Sequence, residues 1–174
     1  MIKTMAKKTP KEFVKAYYPF AIQTQDKTGI DARFTLAQAA LESGWGGSAP
    51  GNMFFGVKAS KNTPDDQKQL IRTREVLSSP NVQFPEIISV TPRKDGKYDY
   101  VVKDWFRKYD SPEQSFTDHA NFFFANKRYA QALELKNDPF AFADAIAKAG
   151  YATDLNYAAT LKTIIRMIEK NIEQ

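Results

Sequence analysis

Cysteine is absent from the 174 residues, and histidine occurs once, as His119. The first absence excludes a disulfide framework, a thiolate nucleophile and Cys-ligated metal. The second excludes a zinc site built on paired histidines. A Ser–His–Asp triad would have to pass through His119, and no Gly-x-Ser-x-Gly turn presents a serine to it. No stretch approaches the ~20 apolar residues of a membrane span, so no span is expected. The N-terminus is basic but has no apolar run before Pro10, and no secretory signal is read there. Internal repeats and low-complexity segments are also missing.

What is present fits one ordinary core. The chain is 43% hydrophobic and 26% charged, and its length predicts a single domain. Aromatics reach 13%, with Phe 13, Tyr 8 and Trp 2, more than a minimal core needs. The surplus suits either core packing or a groove that stacks flat ligand faces. A net charge of +5 suggests an anionic partner: nucleic acid, a membrane surface or an acidic wall polymer. Part of that excess is the cluster Lys3, Lys7, Lys8, Lys11 and Lys15, which reads as a solvated helix start. With no RNA-binding or zinc-finger motif beside it, nucleic acid is not an expected partner.

The chain falls into three stretches. From Pro10 to about Gly44 the spacing is helical. Phe13, Val14, Tyr17, Tyr18, Ala21 and Ile22 recur at three- and four-residue intervals, and Gly29 breaks the run. Asp31 is placed to cap a second helix with Phe34, Leu36, Ala37, Ala40 and Leu41 as its buried stripe. The middle, to about Tyr109, holds Pro64, Pro80, Pro85 and Pro92, and LIRTREVL, QFPEIISV and KYDYVVKDWF are strand candidates. Lys94-Asp95-Gly96-Lys97 is the expected turn between the last two. From Ser111 the helical pattern returns in SPEQSFTDHANFFF, NDPFAFADAIAKAG and DLNYAATLKTIIRMIEKNI. Helices, a small antiparallel insert at about 60–109 and more helices predict one α+β domain spanning 1–174 with two lobes.

Two carboxylates stand out. Glu42 is the one ionisable residue between Phe34 and Phe55, in FTLAQAALESGWGGSAPGNMFF. Apolar neighbours raise a carboxyl pKa, which a general acid near neutral pH requires, so Glu42 is the candidate proton donor. Along the strand 70–77, alternation puts Ile71, Thr73, Glu75 and Leu77 on one side and Arg72 and Arg74 on the other. Glu75 thus sits on the more apolar face, either as a working carboxylate or as an ion pair to Lys103 or Arg107. One carboxylate on a helix end and one on a strand is the pairing that glycoside hydrolysis uses. His119, in an apolar helical stretch, is read as a hydrogen-bonded packing residue.

At these residues the chain resembles glycoside hydrolase family 73, the peptidoglycan N-acetylglucosaminidases of autolysins and of the flagellar rod-cap hydrolase. The resemblance runs through AQAALESGWGGS, FFGVKA, TRE, FRKYDSPEQSFTDH and AGYATDLNYAATL, in that order, from about Asp31 to Leu161. It implies a lysozyme-like α+β fold in which a mainly helical lobe and a small β-lobe flank a glycan groove. It also implies Glu42 as catalytic acid, Glu75 as second carboxylate and Tyr151 beside the scissile bond, with Tyr157 in the same motif. Trp45, Asn52, Phe55, Trp105 and Tyr109 are the further substrate-binding candidates. The implied partner is the peptidoglycan glycan strand, at the bacterial cell wall or in the periplasm. Two-carboxylate chemistry implies no metal and no organic cofactor.

The chain departs from the family's pattern at Met53, where asparagine is common, and at Leu155, where proline is usual. The segment from Val76 to Trp105 is also long. A muramidase or a lytic transglycosylase is the rival enzyme reading, and Glu75 favours hydrolysis because a transglycosylase needs no second carboxylate. A noncatalytic wall-binding module is the rival outside enzymes, opposed by the presence of Glu42, Glu75 and Tyr151 in one chain.

Overall fold

The computed structural model describes residues 6–173. They form two compact units: Gly56–Lys108, and the remainder on either side of it in the chain, 6–55 with 109–173. The flanking unit is helical and the inserted one is a sheet.

Local signals account for the first helices. Helix α1 (Pro10–Thr28) starts at the Thr9 cap, whose hydroxyl oxygen accepts from the Glu12 N–H and whose O–H donates to the Glu12 carboxylate. It ends at Gly29, where φ is 77° and the N–H donates to the Gln25 carbonyl. The left-handed φ is what calls for glycine there, since the atom a Cβ would meet at 2.6 Å is on the flexible end of the Lys136 side chain, which can move aside. Asp31 caps α2 (Ala32–Ser43), as its position in the sequence predicts. Of the basic N-terminal cluster, Lys7 and Lys8 precede α1, Lys11 and Lys15 are exposed on it, and Lys3 lies outside the described residues.

Helix α2 is more deeply buried than its expected stripe. Residues 34–40 are all buried, whereas Leu41 is only half-buried. The reason is position: α2 packs against α1, against α3 (Pro112–Ala125), against α4 (Pro139–Lys148) and against α5 (Tyr157–Ile172). A helix surrounded by others needs apolar or small residues on every side, which Ala37, Ala39 and Ala40 supply. Phe34 stacks on Phe142 at 4.5 Å, and Phe123 meets both rings edge-on. Short 3-10 turns at Lys127–Tyr129 and Ala132–Leu135 join α3 to α4; they are too short to leave a periodic pattern in the sequence.

The inserted unit is a three-stranded antiparallel sheet in the order β1-β3-β2, with β1 (Lys68–Leu77), β2 (Glu86–Pro92) and β3 (Tyr98–Arg107). The expected turn connects β2 to β3, with Gly96 at φ 79° and the Lys97 N–H donating to Asp95. A register shift between Ile87 and Ser89 leaves Ile88 as the extra residue of a bulge. Tyr100 and Val102 are fully buried, Tyr100 against the loop that follows β1. That loop is fixed by the Tyr100 hydroxyl, which donates to the Ser79 carbonyl at 2.6 Å and accepts from the Val82 N–H at 3.2 Å.

Candidate active site

Glu42 occupies the last turn of α2, where the chain leaves the helix through three consecutive left-handed residues. Gly44, Trp45 and Gly46 have φ of 57°, 56° and 80°. The glycines adopt this freely, but a tryptophan there costs about 1–3 kcal/mol. The turn is held by the Trp45 N–H donating to the Ala40 carbonyl at 2.8 Å and by the Gly46 N–H donating to the Ser43 hydroxyl at 2.9 Å. The half-buried indole packs edge-on against Phe13 at 5.5 Å, so Trp45 anchors the turn beneath Glu42 to the helical core.

The Glu42 side chain is exposed and makes no hydrogen bond or ion pair among the described residues. Its surroundings still strip enough water to raise the carboxyl pKa above its ordinary value. A raised folded-state pKa means that folding opposes ionisation, so this group's contribution to stability is lost as pH rises through that pKa. The thermal midpoint of Glu42→Gln minus that of wild type is therefore expected to grow between pH 4 and pH 8; a flat difference would show a freely solvated carboxylate.

Beside Glu42 lies a cluster of phenols. The rings of Tyr151 and Tyr157 lie 5.3 Å apart, tilted by 38°, and the charge of Glu42 reaches both hydroxyls. Burial is the largest cause that lifts both phenol pKa values, that of Tyr157 to about 12, so both hydroxyls stay protonated at neutral pH. Tyr129 is fully buried in the same cluster, and its hydroxyl has no partner among the described residues.

Behind the phenols stand two residues whose part in the site the sequence did not signal. Gln38, fully buried one turn before Glu42 on α2, donates from Nε2 to the Tyr157 hydroxyl at 2.9 Å. Its Oε1 lies 2.9 Å from Nε2 of His119, which is 3.3 Å from the Tyr151 hydroxyl. The imidazole is stacked on Phe55 at 3.7 Å, and burial drives its pKa down to about 3, so it is neutral. His119 is thus hydrogen-bonded and packed, as the sequence predicts, and the structure supplies its partners, Gln38, Tyr151 and Phe55. The available signal for Gln38 was its spacing: a polar residue four before Glu42 in an otherwise apolar helix.

The remaining candidates scatter. Phe55 is 5% exposed and spends a ring face on His119, so it packs the core and is not displayed for a sugar. Asn52, at φ 57°, donates its amide to the Tyr109 carbonyl at 3.0 Å, which ties it to the backbone. The Tyr109 hydroxyl donates to Asp118 at 2.5 Å. Of the departures from the family pattern, Met53 is buried and Leu155 is fully exposed.

Glu75 lies in the sheet, opposite Tyr100 and on the half-buried side of β1 with Ile71, Thr73 and Leu77, as alternation predicts. Its ion pair is with neither Lys103 nor Arg107. Lys58, from the loop before β1, approaches Glu75 at 2.7 Å and Asp104 at 3.3 Å. Hydrogen bonding to Glu75 is the main cause that raises the Lys58 pKa. Lys103 is paired across from Arg72, on the other side of the sheet, and bridges to Glu86. Trp105 stands on that other side too, opposite Leu70, 39% exposed and with the Lys68 ammonium 4.8 Å from its ring centre. Trp105 and Glu75 therefore face opposite sides of one sheet. Lys58 was legible only as part of the FFGVKA block, with no hint of its partner.

A helical unit with a desolvated glutamate at a helix end, interrupted by a small antiparallel sheet with a second carboxylate, is the layout of a lysozyme-like glycoside hydrolase. The chain belongs to the glucosaminidase family, described as mannosyl-glycoprotein endo-beta-N-acetylglucosaminidase, which matches residues 18–170. It is 33% identical over 167 residues to the peptidoglycan hydrolase FlgJ of Pseudomonas aeruginosa, covering 91% of this chain and 36% of that protein. The chain spans between 36% and 48% of the length of the first three curated relatives it matches. Among solved structures, the C-terminally truncated glycoside hydrolase domain of FlgJ from Salmonella typhimurium matches with a TM-score of 0.69 at 29% identity, covering 93% of this chain and 99% of that one. A peptidoglycan hydrolase mutant from Sphingomonas sp. A1 matches with a TM-score of 0.65 at 31% identity, covering 94% and 98%.

Proposed function

We propose that this chain is an endo-β-N-acetylglucosaminidase that hydrolyses β-1,4 glycosidic bonds of bacterial cell-wall peptidoglycan, acting at the wall or in the periplasm. The observation that carries the reading is Glu42, unpaired, raised in pKa and flanked by protonated tyrosines at the end of the most buried helix.

In this mechanism the protonated Glu42 carboxyl gives its proton to the glycosidic oxygen as the bond from the anomeric carbon to that oxygen breaks. Water adds to the oxocarbenium-like centre and loses a proton, and Glu75 activates that water or stabilises the positive charge. Tyr151 hydrogen-bonds the substrate acetamido group or orients the water. Because the acid must be protonated, the alkaline limb of the kcat/KM profile is expected above the ordinary carboxyl range, near 4.3. A limb at that ordinary value would remove Glu42 as the acid.

Tyr151→Phe removes one hydroxyl and is expected to lower turnover about tenfold, the worth of a single hydrogen bond, with wall binding unchanged. Unfolding with activity per folded molecule intact would make Tyr151 a packing residue. Mass spectrometry of digested peptidoglycan tests the activity itself. New N-acetylglucosamine reducing ends support it, muramic acid ends mean a muramidase, and anhydromuramic ends mean a transglycosylase. Binding without new ends means a noncatalytic module.

A further inference from the structure

We propose that Gln38 and His119 are positioning residues that aim the Tyr151 hydroxyl, an inference that rests on the role given to Tyr151 above. The Gln38 amide leaves α2 one turn before Glu42. It is fully buried, and both its ends are used: Nε2 donates to the Tyr157 hydroxyl at 2.9 Å, and Oε1 faces His119 Nε2 at 2.9 Å. An amide oxygen can only accept, so the neutral imidazole carries its proton on Nε2 and donates it to Gln38.

That assignment decides what the tyrosines can do. The Tyr151 hydroxyl, 3.3 Å from the same Nε2, meets an N–H rather than a lone pair. It accepts a share of that proton and cannot donate its own there. Tyr157 likewise accepts from Gln38. The two hydroxyls also hydrogen-bond each other, Tyr151 donating to Tyr157, so the Tyr151 oxygen is held from both sides, and the charge of Glu42 is close enough to be felt by both hydroxyls. The stack of His119 on Phe55 at 3.7 Å fixes the ring plane, so the N–H cannot swing away. Gln38 and Glu42 leave the same helix one turn apart, which sets the acid and the tyrosine frame in a fixed relation.

The test compares backgrounds. Gln38→Leu removes the amide at similar volume, and His119→Phe keeps a flat ring on Phe55 while removing Nε2. Each is made in wild type and in Tyr151→Phe, with kcat and KM measured on purified peptidoglycan and folding followed by circular dichroism. In wild type, kcat is expected to fall about tenfold, one hydrogen bond's worth, with KM unchanged. In Tyr151→Phe, neither substitution is expected to lower kcat further, because the hydroxyl they aim is gone. Wild-type kcat in either folded variant overturns the proposal, as do losses that multiply with that of Tyr151→Phe. If one substitution prevents folding, the other, on a different helix, decides. Failure here leaves the Glu42 chemistry standing, because only the coupling to Tyr151 is read.

Discussion

Glu42→Gln is expected to lower the rate of peptidoglycan lysis by ~10²–10⁴-fold, the usual cost of losing a general acid, with the fold intact. Glutamine keeps the length and shape of the side chain but has no proton to give at neutral pH. Because Glu42 makes no hydrogen bond or ion pair among the described residues, its replacement breaks no internal bond. Its raised pKa adds a second expectation: the neutral amide removes an ionisation that folding opposes, so the variant is at least as heat-resistant as wild type at pH 7. Inactivity without destabilisation is the signature to look for. A folded Glu42→Gln chain that clears peptidoglycan near the wild-type rate would end the assignment.

Glu75→Gln is expected to reduce turnover by about 10²-fold, by removing the charge that activates water or stabilises the oxocarbenium-like centre. The competing account is the ion pair to Lys58 at 2.7 Å, in which Glu75 only ties the strand to the preceding loop. The two accounts separate cleanly. An ion pair as open to solvent as this one contributes about 0–1 kcal/mol, so losing it barely moves the thermal midpoint and leaves turnover alone. Lys58→Met is the matched control, since it breaks the same pair and spares the carboxylate. A rate loss in Glu75→Gln that Lys58→Met does not share supports the catalytic role. Full activity in folded Glu75→Gln reduces the residue to a salt bridge and favours the transglycosylase reading.

The sequence by itself determined features that a single cap, alternation or anomalous residue encodes locally. Helix starts were legible at Asp31 and Ser111 because a cap is a local hydrogen bond between a side chain and the N–H groups just after it. The side of β1 that carries Glu75 was legible because a strand alternates its faces. Glu42 was legible because a lone carboxylate in an apolar helix is anomalous wherever that helix packs. The tertiary structure decided which groups meet across the chain. Gln38 reaches His119 over a separation of 81 residues and Tyr157 over 119, and no spacing rule joins them. Lys58 took the Glu75 contact because its loop is bonded to β3, the Arg107 N–H donating to the Val57 carbonyl at 2.8 Å. Phe55 went to the core and Trp105 to the far side of the sheet for the same kind of reason. Periodicity says that a residue has a buried or an exposed side, but what stands against that side is fixed only when distant segments close on each other.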